Sequence, residues 1–396
     1  MARHSNPLVA LAVAAVLVAV AAPPVQASDP YRVGATAALT GPVSTTFGPM
    51  VDLFKAYIGK VNAEGGINGH PIQVIYEDDR AEAPRSITNA KKLLEQDRVV
   101  LLINTSSSAT FKPTIATAKE GKTPLLFGGS VCPEEVFPPA DPLLFCSTSF
   151  AAKLDGEFAT RFIHEMSRGK AKIGFALMDI PIARIGIDTA EAVAKKLGME
   201  PVAKMIIPPS AVDFTPFASK IKDAGATWAF AWSPWAWEIG PYEALLKLGW
   251  QGDYLLYGFQ PLEAAYARLN KENLYALVGT NLLAEDLPEI KAIQALAAKA
   301  GVTRIDLEGW VAAVMVHESL KVCGWPCSAE KLQTAMSNVS ADIKGVKGGP
   351  IQWSRENHFR TVQYYKIYRW DSSRSRPVVV KDWSRVDVEQ KLKELK

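Results

Sequence analysis

Apolar positions along the chain follow two alternating spacings. Short uninterrupted apolar runs, such as residues 99–103 and 124–127, are typical of strands that are buried on both faces. Between such runs the apolar residues recur at helical spacing, as they do over residues 49–62. Because strand and helix signals alternate nearly throughout, the pattern predicts an α/β fold in which helices cover both faces of parallel sheets.

The alternation starts again near residue 150, so that the chain has two similar βα halves with no linker between them. These halves predict two lobes packed face to face, and ligands of such sheets bind beyond the carboxyl ends of the strands. The chain should end in a β-hairpin, over residues 363–370 and 377–381. The other predicted strands are residues 31–38, 72–76, 99–103, 124–127, 172–178, 202–207, 227–232, 254–257 and 276–283.

The first 28 residues contain no acidic residue and are almost wholly apolar from Leu8 to Ala22. A short basic start, this apolar stretch and the small residues around Ala27 form the pattern of a secretory signal peptide, residues 1–27. A transmembrane anchor would need about 20 apolar residues, and two prolines interrupt this stretch. We therefore predict cleavage before Ser28 and a periplasmic location.

The composition excludes several classes of protein. The chain has 396 residues, of which 48% are hydrophobic and 21% are charged, so it is neither disordered nor fibrous. A net charge of +3 lacks the basic bias of a nucleic-acid-binding protein, and we predict no nucleic-acid partner. The stretch 128–132 departs from a serine nucleophile motif at its last position, and no dinucleotide or Walker loop is present. We expect no catalytic residue, no cofactor and no metal, with an exported hydrolase or a signalling sensor as alternatives.

The four cysteines fall into two pairs that are close in sequence. Cys132 and Cys146 flank a proline-rich loop, and Cys323 and Cys327 enclose a tight turn after a predicted helix. In an oxidising compartment an even number of cysteines suggests disulfides. A metal site and buried free thiols are the alternatives, although zinc normally needs four ligands at recognisable spacing. We predict the disulfides 132–146 and 323–327.

Three hydroxyl-rich loops follow strands of the first half, at residues 44–48, 104–110 and 128–130. Each stands where a strand leads toward a helix, so it exposes backbone N–H groups and side-chain hydroxyls. Helix N-termini favour anions, and the three loops together predict a carboxylate site. Ordinary helix capping is the alternative explanation for each loop taken alone.

In these motifs the sequence resembles the Leu/Ile/Val-binding type of solute receptor, the type I periplasmic binding proteins that serve ABC importers. The matching segments occur in the family's order over nearly the whole mature chain, and the ordered set carries the resemblance because no single segment is specific. They are residues 39–42 (LTGP), 62–69 (NAEGGING), 76–79 (YEDD), 107–110 (SSAT), 213–215 (DFT) and 349–353 (GPIQW).

The resemblance implies two Rossmann-like βα lobes joined by three crossing hinge segments, with a small-molecule solute trapped between the lobes. We expect lobe 1 to comprise residues 28–150 and 281–353, and lobe 2 to comprise residues 151–280 and 354–396. The other partner that the resemblance implies is the membrane permease of an ABC importer. We expect the receptor itself to be a monomer without chemistry of its own.

The family's serine–threonine loops in the first lobe bind the solute carboxylate. They correspond here to Ser107, Ser108 and Ser130, with Ala109 and Thr110 contributing at the helix start.

Amino-acid receptors of the family also need an acid for the ammonium group, and this chain departs from that pattern. The segments that would carry such acids contain Ala152 and residues 258–260 (GFQ), none of them acidic. An aromatic residue expected before Gly186 is replaced by Ile185, with Arg184 beside it. A buried ammonium without a counter-charge is costly, so the departures argue against an amino-acid solute.

Aromatic residues cluster near the same predicted cleft. Trp232 opens a segment, WSPWAW, that directly follows a predicted strand, and Phe47, Phe150 and Phe259 add aromatic surface. Aromatic walls bury flat apolar solutes, although three tryptophans in six residues can also simply pack a lobe. We predict an aromatic or hydrophobic carboxylate, with branched-chain amino acids, amides and urea-like solutes as alternatives. Phe150, Arg184, Trp232 and Phe259 are expected on the far side of the solute.

Overall fold

The computed structural model describes Met1, residues 28–258 and residues 261–395. Apart from Met1, the predicted signal peptide lies outside the described residues, and so does Phe259. The strands are β1 (Tyr31–Ala37), β2 (Ile72–Asp78), β3 (Leu101–Thr105), β4 (Leu125–Phe127), β5 (Leu144–Cys146), β6 (Lys172–Met178), β7 (Glu200–Ile207), β8 (Trp228–Ala231), β9 (Asp253–Tyr257), β10 (Leu274–Val278), β11 (Ser340–Ala341), β12 (Ile351–Gln352), β13 (Val362–Asp371) and β14 (Arg376–Asp387).

Helices alternate with most of these strands, as the apolar spacing predicts. They are α1 (Ser44–Ala63), α2 (Ala83–Lys91), α3 (Phe111–Glu120), α4 (Ala152–Ser167), α5 (Pro181–Lys196), α6 (Thr215–Asp223), α7 (Trp235–Lys247), α8 (Pro261–Leu269), α9 (Pro288–Lys299), α10 (Leu307–Cys323), α11 (Ala329–Met336) and α12 (Val388–Glu394). Among the described residues, none of the helices combines the length and the apolar composition needed to cross a bilayer.

The strands form two main sheets, one in each half of the molecule. The first is wholly parallel, in the order β2-β1-β3-β4-β5, and the second has the order β14-β13-β10-β9-β8-β6-β7. In the second sheet β6 to β10 are parallel, and the predicted terminal hairpin adds β13 and β14 as antiparallel strands beside β10. The predicted α/β class, with two sheets built mainly of parallel strands, is confirmed.

The chain crosses between the two halves three times, through residues 147–151, 279–287 and 353–361. The strand predicted over residues 276–283 therefore ends too late, since β10 stops at Val278. Directly after it, a Cβ atom on Gly279 would lie 2.1 Å from the Cβ of Ser149 in the first crossing. Only glycine lets the two crossing backbones approach this closely. The predicted lobe boundaries at 150/151, 280/281 and 353/354 stay a prediction.

A buried ion pair lies where the first two crossings meet. Lys347 donates from Nζ to the Ser149 hydroxyl, to the Gly279 carbonyl at 3.2 Å and to Glu308 Oε1 at 3.1 Å. The Ser149 N–H donates to the same Glu308 oxygen at 3.2 Å. Burial lowers the pKa of Lys347 to about 8, and the neighbouring Glu308 opposes this shift. Four groups from separate parts of the chain are thus bonded together out of contact with water.

The third crossing holds the first through backbone carbonyls. Arg360 is buried and donates to the carbonyl of Ser147 at 2.8 Å and to that of Thr148. Gln363 donates from Nε2 to the Ser149 carbonyl at 2.7 Å. Residues 147–149 are therefore tied to both of the other crossings.

Both predicted cysteine pairs are joined as disulfides. The Cys132–Cys146 bond links a loop after β4 to the end of β5, with Cα atoms 5.6 Å apart and both residues buried. The Cys323–Cys327 bond links the end of α10 to the segment before α11. The described residues include no free cysteine.

Removal of the first disulfide should cost more stability than removal of the second. The sequence separations are 14 and 4 residues, and chain entropy predicts losses of about 3 and about 2 kcal/mol in the free energy of unfolding. Chemical denaturation of the Cys132→Ala/Cys146→Ala and Cys323→Ala/Cys327→Ala double variants measures both. Titration of the denatured wild-type protein should detect no free thiol, and four free thiols would contradict both bonds.

Candidate functional site

A small cavity lies between the carboxyl ends of the two sheets. Both halves contribute to its wall, because the start of α1 and the loops after β3 and β4 face the segments after β6 and β8 and the end of β9. The lining residues are Thr46, Phe47, Ser106, Ser107, Ser108, Gly129, Val131, Phe150, Ile180, Ile182, Trp232, Ser233, Pro234, Glu238 and Tyr257. This is the edge of the sheets at which the alternating pattern predicts a ligand.

The polar wall in the first half is the serine segment after β3. Ser106, Ser107 and Ser108 all line the cavity, and Ser107 caps a short 3₁₀ turn that leads into α3. Behind them, Ser106 donates from Oγ to the buried carboxylate oxygen Oδ1 of Asp79 at 2.7 Å. Thr36 donates to the other oxygen of Asp79 at 2.9 Å. The aspartate at the end of β2 therefore fixes the serine segment from below.

Two predicted carboxylate contacts lie behind this segment and do not line the cavity. Ser130 is fully buried: its Oγ accepts from the Ser106 N–H at 2.8 Å and lies within 3.0 Å of oxygens of Asn104 and Ser106. Thr110 donates to the Ser107 carbonyl at 2.8 Å and accepts from Asn104 at 3.0 Å. In this structure both side chains support the loop from within.

Two further predicted contacts are exposed. Ala109 is exposed, and Arg184 forms an ion pair with Asp179 at 2.7 Å on the surface of α5. The described residues of the cavity wall include neither of them. The predicted residues that the structure does bring together in the wall are Phe47, Ser107, Ser108, Phe150 and Trp232, and their contact with a solute stays a prediction.

Aromatic rings form much of the remaining wall. Phe150 packs edge to face on Tyr257, with ring centroids 4.9 Å apart, and Phe47 and Trp232 are each less than a tenth exposed. Of the three clustered tryptophans, only Trp232 is in the lining among the described residues. The Trp237 indole instead packs on Phe214 in the second half. Aromatic walls of this kind suit a small flat apolar group.

Trp232 is positioned by a buried aspartate on α4. Asp155 accepts from the Trp232 indole N–H at 3.0 Å, from the Tyr365 hydroxyl at 2.5 Å and from the Ala151 N–H at 2.9 Å. Burial raises the pKa of Asp155 to about 7, even though the three donors favour its charged form. One side chain thus couples the cavity wall to the first crossing and to β13.

The cavity also contains a carboxyl group that the sequence analysis missed. Glu238 on α7 is fully buried, and its Oε1 accepts from the N–H groups of Ser233 at 3.0 Å and Tyr257 at 3.2 Å. Its Oε2 has no hydrogen-bond partner among the described residues. Burial raises the pKa of Glu238 well above its usual range. A signal existed in the sequence: this is the single charged residue within residues 224–242.

The two halves touch directly beside the cavity. The Trp235 N–H in the second half donates to the Thr46 hydroxyl in the first half at 3.0 Å. The Ile182 N–H lies 3.5 Å from the hydroxyl of Ser108. A Cβ atom on Gly129, whose φ is +101°, would lie 2.8 Å from Thr105, so glycine keeps the wall open there. The structure therefore has a closed cleft around a small enclosed space.

Comparison with known families agrees with this architecture. The profile of a family described as periplasmic binding protein matches residues 30–375. The chain belongs to the periplasmic binding protein family. This membership confirms the resemblance in the sequence and implies a periplasmic location. A search of curated protein sequences found no match to the chain.

Several solved structures share the fold of this periplasmic binding protein at low sequence identity. A solute binding protein of an ABC transporter from Rhodopseudomonas palustris BisB5, in complex with 3,4-dihydroxy benzoic acid, superposes with a TM-score of 0.78 at 18% identity, covering 91% of this chain and 98% of the other. Another ABC transporter solute binding protein from R. palustris, in complex with benzoate, superposes with a TM-score of 0.76 at 16% identity. The match covers 89% of this chain and 96% of the other. A branched-chain amino acid transporter substrate binding protein from Streptococcus pneumoniae, in complex with isoleucine, superposes with a TM-score of 0.75 at 16% identity. The match covers 91% of this chain and 100% of the other.

We expect the buried Asp155 to make this periplasmic binding protein less stable as the pH rises. In the unfolded chain an aspartate has a pKa of about 3.9. Burial raises the pKa of Asp155 to about 7 in the folded protein. The folded state therefore holds the proton longer, and its advantage is present below about pH 4 and lost as the pH rises through about 7.

The Asp155→Asn variant isolates this effect because it cannot ionise while its amide oxygen still accepts from Trp232. The difference in Tm, wild type minus variant, should fall between pH 5 and pH 8 when both are measured by thermal unfolding. A difference that stays constant over this range would show that Asp155 is ionised in the folded protein. The Asp155→Ala variant leaves three donors unpaired and should be destabilised at both pH values.

Proposed function

We propose that the protein is the solute receptor of an ABC importer and that it captures a small aromatic or hydrophobic carboxylate between its two halves. The observation that carries this proposal is the composition of the cavity wall, which has serine hydroxyls on one side and aromatic rings on the others. The hydroxyls suit a carboxylate, and the rings suit a flat apolar body. Two of the similar structures contain benzoates.

The mechanism is capture by closure, without a chemical step. A solute that contacts both Ser108 in the first half and Trp232 in the second favours the closed form over an open one. The extent of the shift equals the difference between its affinities for the two forms. The three short crossings are the places at which such a movement would bend. The closed receptor, a monomer exported by cleavage before Ser28, would then bind a membrane permease.

A second candidate solute is an amino acid, and Glu238 favours it. The sequence analysis found no acid for an ammonium group at the expected positions, but the structure places this carboxyl in the same cavity as the serine segment. The similar receptor from S. pneumoniae contains isoleucine. The lack of an acid at the expected positions is therefore a weaker argument against an amino-acid solute. The binding experiment below distinguishes the two solute classes.

A hydrolytic function has little support from the arrangement around Ser130. This serine occupies the position that resembles a nucleophile motif, but its buried hydroxyl is bonded within the loop, to Asn104 and Ser106. A serine nucleophile needs a general base in hydrogen-bond reach and an exposed hydroxyl. We therefore expect no ester hydrolysis by the purified protein.

A thermal-shift screen of the exported protein tests the solute class. Benzoates, branched aliphatic acids, leucine, valine and simple amides are compared at equal concentration. A ligand at 100 times its Kd stabilises the folded state by about 2.7 kcal/mol, which raises Tm by several degrees. We expect the aromatic acids to give the largest shifts. Larger shifts with leucine or valine would favour the amino-acid candidate, and hydrolysis of an ester without any shift would contradict a receptor.

Truncation of the serine wall should weaken binding of the carboxylate. A hydrogen bond to a charged group contributes about 1.5–3 kcal/mol, so Ser107→Ala or Ser108→Ala should raise Kd by about tenfold or more in calorimetric titration. Arg184→Ala is the matched comparison because the structure places that side chain on the surface. We expect it to change Kd less than twofold. An equal loss from Arg184→Ala would restore the role that the sequence pattern suggested for it.

A further inference from the structure

Glu238 has half of its hydrogen-bonding capacity in use. Backbone N–H groups from the loops after β8 and at the end of β9 hold Oε1. The second oxygen, Oε2, is buried and has no partner among the residues that the structure describes. Because Glu238 forms part of the cavity wall, Oε2 is the carboxyl oxygen left for a solute. Buried polar atoms are nearly always paired, so an unpaired carboxyl oxygen in a cavity wall calls for an explanation.

The surroundings of this carboxyl favour its neutral form. The other lining residues of the second half are aromatic or apolar apart from Ser233, and no cation among the described residues donates to Oε2. Burial raises the pKa of Glu238 most, the two N–H groups from Ser233 and Tyr257 oppose this shift, and the nearby Asp155 raises the pKa further. The Tyr254 hydroxyl is directed at the backbone carbonyl of Glu238 and not at its side chain. A neutral carboxyl held this way keeps one O–H donor.

We infer that Glu238 determines solute specificity, by donating a hydrogen bond from its Oε2–H to an uncharged oxygen on the solute. The preferred solute is then an organic acid with two polar ends: a carboxylate for the serine segment and a hydroxyl, ether or carbonyl oxygen for Glu238. This inference rests on the proposed function, since it names the second recognition point of the same cavity. A purely apolar acid would leave the buried donor unpaired, which binding sites penalise strongly.

The opposite assignment is an ionised Glu238 that serves as the counter-charge of an ammonium group. The two assignments differ in which substitution of Glu238 preserves the affinity for the solute. A neutral donor is replaced by the amide of Glu238→Gln, whose carbonyl still accepts from Ser233 and Tyr257. A counter-charge is not replaced by an amide, because the positive solute group would then lie buried without a negative partner.

A matched set of substituted benzoates tests the inference on the exported protein. The set carries methyl, hydroxyl, methoxyl or aminomethyl at the 3 or the 4 position, so that an apolar group, two kinds of oxygen and a cation of similar size are compared. Calorimetric titration gives the affinity ratio of each to the methyl compound. In the wild-type protein we expect a hydroxyl or methoxyl compound to bind at least tenfold more tightly than its methyl counterpart. We expect the aminomethyl compound to bind no better than the methyl one.

Two variants connect these ratios to Glu238. Glu238→Gln should retain the oxygen preference to within about threefold, whereas Glu238→Met should reduce it to less than twofold. If the methionine variant does not fold, binding of the aminomethyl compound by the glutamine variant still distinguishes a neutral Glu238 from an ionised one. Tight binding of that compound by the wild type and its loss in Glu238→Gln would overturn the neutral donor. An oxygen preference that persists in Glu238→Met would overturn the role of Glu238 while leaving the proposed function intact. If no benzoate binds the wild type, the solute class fails, and the inference fails with it.

Discussion

The buried contacts at the crossings are the constraint on which the rest of the structure depends. The first crossing lies against the second at Gly279, where no side chain fits, and is bonded by Lys347, Arg360 and Gln363. These groups come from distant parts of the chain, and burial makes each costly if its partner is removed. Since the relative position of the two sheets follows from these contacts, so does the shape of the cavity between them. Any opening movement must keep them satisfied or exchange them together.

Buried acids play different roles around the cavity because their partners differ. Asp79 accepts two hydroxyls and anchors the serine segment, and Asp155 accepts three donors and holds Trp232. Glu238 accepts two N–H groups on one oxygen and leaves the other for the cavity. In water these carboxyls would be equivalent. Their surroundings make the first two structural supports and the third a candidate solute contact.

The sequence supported the architecture more fully than the site. Runs of buried strand residues and helical spacing carry the α/β class, because each depends on neighbours only a few positions away. Short elements such as β5 and α11 escaped the pattern because they contain too few residues to show a period. At the site, Ser107 and Ser130 looked alike as serines in loops after strands. The fold directs one to the cavity and the other into the loop behind it.

Local pattern and composition therefore account for two βα halves, the cysteine pairs and the sheet edge where a solute would bind. Each of these follows from residue spacing or from the compartment implied by the chain's opening. The tertiary structure decided which hydroxyls and rings share one cavity, and it brought Glu238 there from a helix that local signals mark as apolar. The direction and ionisation of a side chain depend on partners up to hundreds of residues away, as with Asp155 and Tyr365. The spacing of residues along the chain does not identify those distant partners.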